Sequence, residues 1–181
     1  MSSPFDMETV AARVPHALRC RSPRDLVTIV DEAVARIGML DVLDLFDHGT
    51  QGVQAMGDDV LFASDYDPDS DLTNLEIARA LDRSLKPFAY VRLLGCKTAL
   101  ESGVRSGRML LIKLARVLGR HRVVFGTNDT IYHTAFDADG FVTTQELRFL
   151  YSSLAAIDAP APENDARMAN IMKIRKTVVT G

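Results

Sequence analysis

Three apolar runs with strand character, each stopping at a glycine-bearing turn, set the narrowest limits on what this chain can fold into. The first, Met39 to Asp47 (MLDVLDLFD), ends at His48-Gly49. The second, Phe88 to Leu94 (FAYVRLL), ends at Gly95-Cys96, and the third, His121 to Phe125, ends at Gly126-Thr127-Asn128-Asp129. Helically spaced segments separate them. Leu72, Leu75, Ile77, Ala78, Leu81 and Leu85 mark one that Pro87 stops, and Gly107 to Leu118 mark another that Gly119 closes. Strand, helix, strand, helix, strand is the order of a parallel sheet with helices on its faces. Ligands of such sheets bind beyond the carboxyl ends of the strands. His48, Cys96 and Thr127-Asn128-Asp129 are therefore expected on one edge.

The flanking segments carry weaker signals. A short helix is expected near residues 6–14, ended by Pro15. Ser22-Pro23-Arg24-Asp25 opens a helix with an N-cap serine, a first-turn proline and an acid suited to the helix dipole. Leu26, Ile29, Val30, Ala33, Val34 and Ile37 then share a face, and Gly38 ends the helix. Two strand-like pieces around Gly57-Asp58-Asp59 read as a hairpin, as does the Asp137-Ala138-Asp139-Gly140 turn. A helix is expected from about Thr144 to Leu154. The division is an accessory segment at 1–21, an α/β domain at 22–154, and a linker and tail at 155–181. In the tail, Met168, Ile171, Met172 and Ile174 suit a short amphipathic helix or a disordered stretch.

Composition narrows the classes of function. A chain of 181 residues is one domain with short tails, and 47% hydrophobic with 25% charged residues is ordinary for a globular protein. A net charge of −3 with scattered Lys and Arg provides no electrostatic footprint for nucleic acid. Two cysteines, Cys20 and Cys96, make no disulfide framework and no CxxC zinc pair, and reduced thiols are the simplest account. No signal-peptide core or 18-residue apolar run is present, so a cytoplasmic protein that does not enter membranes is expected. Phosphate-binding glycine motifs are absent, and no cofactor or metal is expected.

A cysteine nucleophile needs an imidazole near it in space to hold the thiolate or to protonate the leaving group. Two parallel strands that carry His48 and Cys96 at matching ends would supply that arrangement. The pieces LDLFDHG (43–49) and YVRLLGC (90–96), with the His 48 residues upstream of the Cys, resemble the caspase-type cysteine peptidases. That group includes caspases, metacaspases, gingipains, clostripain and self-cleaving toxin domains. HGTQGVQAMGDDVLF (48–62), GCKTALESGVRSGRMLLIKLARVLG (95–119) and VVFGTND (123–129) are similar to a set of caspase-like bacterial domains, and the ordered set carries the resemblance.

The resemblance implies a three-layer sandwich and an endopeptidase acting on a peptide or protein substrate. Cys96 would be the nucleophile, His48 its partner and acid for the leaving amine, and the Gly49 N–H part of the oxyanion hole. Asn128 and Asp129 would line a substrate pocket, with Asp129 suited to a basic side chain. The sequence departs from true caspases, reading Leu94-Gly95-Cys96-Lys97-Thr98 rather than Gln-Ala-Cys-x-Gly, so a preference for Asp is not carried over. The chain is also short for a complete caspase, so an outer strand is either missing or contributed by another element. A catalytically inactive caspase-like interaction module is the alternative. A small-molecule hydrolase of the α/β-hydrolase type is disfavoured, because there the nucleophile precedes the His.

Other residues are assigned blander roles. Lys97 neighbours Cys96 and could favour a thiolate. Strand alternation sets Asp47 on the face opposite His48, so neither it nor Asp44 is assigned to orienting the imidazole. Cys20 is read as a bystander, and His16, His121 and His133 as surface or packing residues. Asp65, Asp67, Asp69 and Asp71 form a solvated loop. The 136–146 segment overlaps a calcium-loop pattern, but Ala135 stands where an Asp is wanted, so a hairpin turn is preferred.

Overall fold

A computed structural model describes residues 4–64, 72–101, 104–119, 121–141, 150–153 and 176–180. Among these, helix α1 spans Pro4–Arg13, strand β1 Leu18–Arg19, helix α2 Pro23–Ile37 and strand β2 Leu40–Phe46. A small sheet follows from β3 (Gly49–Thr50), β4 (Val53–Met56) and β5 (Asp59–Ala63). Helix α3 (Leu75–Leu81) leads through a 3-10 turn at Asp82–Ser84 into β6 (Leu85–Leu93). Then come α4 (Gly107–Leu118), β7 (Val123–Thr127), the β8–β9 ribbon (Phe136–Asp137 and Gly140–Phe141), β10 (Leu150–Ser152) and β11 (Lys176–Thr180).

The fold is mixed α/β. Its main sheet runs β1-β11-β2-β6-β7-β10, with parallel pairing throughout except for the antiparallel edge strand β10. Along β2, Leu43 and Leu45 point to one face, Asp44 and Phe46 to the other. The first face packs Leu43 and Leu45 with Leu26 and Val30 of α2, Ala78 and Leu81 of α3, and Leu110, Leu111 and Leu114 of α4. The second gathers Phe46 and Leu94 with Val10 of α1, Ile131, Phe136 and Phe141. Helices α2, α3 and α4 thus pack on the first face, and α1 contributes Val10 to the second cluster.

The local signals at α2 hold in detail. Ser22 caps it by accepting the Asp25 N–H at 3.4 Å, and Gly38 ends it at φ 84°. Its buried face is Leu26, Val30 and Ala33, whereas Ile37 is exposed past the edge of the core. The helix α4 spans the 107–118 expected, and both hairpin turns form.

Several expectations are corrected. The helix expected over 144–154 gives way at 150–152 to β10, which pairs with the free side of β7. The tail provides β11 at 176–180, seated between β1 and β2 rather than forming a helix there. The sheet therefore takes β1 from the accessory segment and β11 from the tail. The third strand lies at 123–127, two residues later than expected. The second begins before Pro87: residues 86–89 bulge out between the Leu40–Leu85 and Val42–Tyr90 pairs, so the proline needs no ladder donor. The acidic 65–71 loop, the 142–146 part of the calcium-like pattern and Met168, Ile171, Met172 and Ile174 lie outside the described residues.

Candidate functional site

The β2–β6 pairing sets the geometry. Leu43 pairs with Val91, Asp44 with Arg92 and Leu45 with Leu93, and the Leu94 N–H donates to Leu45 C=O at 2.8 Å. Each pair has the same sequence separation as His48 and Cys96, so the two residues leave adjacent parallel strands at one level. Their loops then meet through glycine. A Cβ on Gly49 would stand 2.7 Å from the Gly95 Cα and 2.9 Å from the Cys96 N. One on Gly95 would stand 2.9 Å from the His48 carbonyl oxygen. Only two residues without side chains allow backbones this close.

The β6–β7 register extends the level to the third strand. Leu93 pairs with Gly126, a separation that sets Cys96 level with Asp129. The Lys97 N–H donates to Asp129 C=O at 3.1 Å, and the Ala99 N–H to Thr127 C=O at 2.9 Å. The Asp129 side chain is exposed and accepts the Thr130 N–H at 2.7 Å, while Asn128 is half-buried. The backbones at His48-Gly49, Gly95-Cys96 and Asp129 thus come together at the carboxyl edge of the sheet.

Polar side chains that sequence reasoning passed over fix these loops. Gln54 on β4 is buried; its Oε1 accepts the Gly95 N–H at 2.8 Å and its Nε2 donates to Ala55 C=O at 3.1 Å. Thr127 donates its hydroxyl to Gly95 C=O. Thr98 Oγ1 donates to Leu93 C=O at 3.1 Å and accepts the Thr127 N–H at 2.9 Å. Both threonines are fully buried. These groups saturate the backbone on either side of Cys96 and lock it to β4 and β7. Their signal in the sequence is slight: each is a lone polar residue in an apolar context.

Gly49 faces Gln54 across β3–β4, and the Ala55 N–H donates to His48 C=O at 2.9 Å. That bond marks Gly49–Gln54 as a pair without mutual hydrogen bonds, so the Gly49 N–H is not directed at Gln54.

Cys96 is half-buried, with Sγ 3.9 Å from the Ile131 carbonyl oxygen. Lys97 beside it adopts φ 60°, in the left-handed region, which turns the chain sharply after the thiol. Cys20 is buried, and burial pushes its thiol up to about 11. The two thiols therefore differ in access. Among the other histidines, His121 stacks on the exposed Phe88 at 5.4 Å, His133 is half-buried in a 3-10 turn and His16 is exposed.

Asp44 forms a fully buried ion pair with Arg92, which also lies 5.7 Å over the Phe141 ring. Among the described residues no helix is long and apolar enough to cross a membrane.

The molecule is thus a mixed α/β protein with an imidazole-bearing loop and a thiol-bearing loop abutting at the carboxyl edge of a parallel sheet. No family model matches the chain, and no curated protein or solved structure is significantly similar to it.

Proposed function

We propose that the chain is a caspase-like cysteine endopeptidase, built as a three-layer sandwich, with Cys96 as nucleophile and His48 as its acid–base partner. One observation carries the reading: His48 and Cys96 leave the adjacent parallel strands β2 and β6 at the same level, with Gly49 and Gly95 in backbone contact. In the reaction, the Cys96 thiolate attacks the scissile carbonyl carbon. The Gly49 N–H steadies the oxyanion, and His48 gives its proton to the leaving amine. Water then attacks the thioester carbonyl, giving up a proton to His48, and the carboxylate leaves as the thiol re-forms. Peptides or proteins are the substrates, and the nearness of Asp129 to the Cys96 loop supports a role for Asn128 and Asp129 in holding the residue before the scissile bond.

The test is a thiol-reactive probe applied from pH 5 to 9, with Cys96 read against Cys20 by mass spectrometry and peptide-library cleavage measured alongside. Rapid Cys96 labelling that persists at low pH, slowed in His48→Ala, with cleavage lost in Cys96→Ala, is the expected result. Slow labelling indifferent to His48, without cleavage, would overturn the peptidase reading and favour an interaction module. The left-handed Lys97, where the caspase pattern differs, is the observation that keeps that second reading in play.

A further inference from the structure

Asp47 lies immediately before His48 and is 3% exposed. Its side chain has two definite partners. One carboxylate oxygen accepts the His48 N–H and the other accepts the Gly57 N–H from the β4–β5 turn. Gly57 in turn is pressed on the chain before α2: at φ 64°, a Cβ there would stand 2.0 Å from the Arg21 carbonyl oxygen. The carboxylate is therefore a bracket between the first residue of the imidazole loop and a turn immobilised against the Arg21 backbone.

We propose that Asp47 is a positioning residue for the candidate dyad: by holding the His48 and Gly57 amides on its two oxygens, it fixes where the His48 loop leaves β2. This deepens the peptidase reading and rests on it for its catalytic meaning. The geometry has a pH consequence. Burial raises the Asp47 carboxyl above its ordinary range, and the two amides and His48 oppose that rise. The charged or titratable groups that act on it are His48, Asp58 in the turn and the Cys20 thiol. Protonation puts a hydrogen on one of the two accepting oxygens and weakens the bracket, so the loop loosens as pH falls through the raised value.

The experiment follows the His48 and Gly57 amide proton shifts by NMR across pH 3 to 8 in the wild-type chain and in Asp47→Asn. In the wild type the two amides should move together with one midpoint above the ordinary aspartate value, and in Asp47→Asn that step should vanish. Asp47→Asn should also slow His48-dependent labelling of Cys96 by roughly tenfold, with Cys20 still protected as the check on folding. Separate midpoints for the two amides, or wild-type labelling with an unchanged pH profile in Asp47→Asn, would overturn the proposal. If Cys20 becomes accessible in Asp47→Asn, the wild-type amide titration decides alone. Wild-type Cys96 labelling indifferent to His48 would sink the peptidase reading instead, and the amide titration would still judge the bracket.

Discussion

Gly49 and Gly95 touch through their backbones, with a Cβ on the first falling 2.7 Å from the Cα of the second. Neither strand can retreat, because Leu94 is hydrogen-bonded to Leu45 and Gly95 to Gln54. Gly49→Ala and Gly95→Ala should each destabilise the chain by about 1–3 kcal/mol, the usual cost of overpacking a closed site. Urea denaturation measures this. A wild-type midpoint in both variants would mean that the loops part easily, and the level arrangement of His48 and Cys96 would lose its structural support.

Thr98 serves two backbone groups at that junction, accepting the Thr127 N–H and donating to the Leu93 C=O. Thr98→Val keeps the shape and removes both bonds. A loss of about 1–3 kcal/mol is expected, set by the desolvated groups left behind rather than by the hydroxyl itself. The urea midpoint should fall at constant slope, and Cys96 labelling should lose its dependence on His48. A neutral substitution would show that the Cys96 loop is held by Gln54 and Thr127 alone.

Cys20 provides a pH dependence of known sign. Its thiol is raised to about 11 in the fold, so the native chain holds that proton more tightly than the unfolded chain does. The stabilising contribution is complete below the unfolded thiol's value of about 8.5 and is lost as pH rises towards the folded value. Between those limits stability should decline with a slope of up to about 1.4 kcal/mol per pH unit. Urea unfolding at pH 8, 9 and 10 tests it, and Cys20→Ala should flatten that decline. Native-state alkylation of Cys20 should stay slow throughout.

Lys97 occupies φ 60° without being glycine or asparagine. Its linear side chain tolerates the left-handed region at a cost of about 1 kcal/mol, whereas a β-branched residue does so far less readily. Lys97→Gly should be neutral or stabilising within about 1 kcal/mol, the relieved strain opposing the added freedom of the unfolded chain. Lys97→Val should destabilise by about 1–2 kcal/mol. Thermal unfolding of the two variants in parallel is the comparison, and equal melting temperatures would contradict it.

What the sequence disclosed about this fold is uneven for physical reasons. The caps of α2 at Ser22 and Gly38 are local chemistry, visible in four-residue windows. The level placement of His48 and Cys96 was legible too, because parallel strands of like length preserve their separation as a register. β10 and β11 were not. Leu150–Ser152 sits where the apolar spacing suited a helix, and only the open side of β7 makes it a strand. Lys176–Thr180 carries a β-branched run, Thr177-Val178-Val179-Thr180, that could have signalled a strand, yet its place beside β2 is a property of the partner. Gln54, Thr98 and Asp47 were hidden because each serves distant backbone groups that the pattern of side chains does not reveal.

The Asp44–Arg92 pair shows the same limit at the centre of the sheet. In sequence the two residues interrupt apolar strands. In the structure they are cross-strand partners with both side chains fully buried, the guanidinium lying over Phe141. A buried pair gains little over an apolar pair of like volume, but one partner alone is an uncompensated charge. Asp44→Leu and Arg92→Met should therefore each destabilise the chain by about 3–5 kcal/mol, and the double variant should recover most of that loss. A urea double-mutant cycle measures the coupling. If the two losses add, the charges are relieved by other groups, and the pair does not hold β2 against β6 beneath the His48 and Cys96 loops.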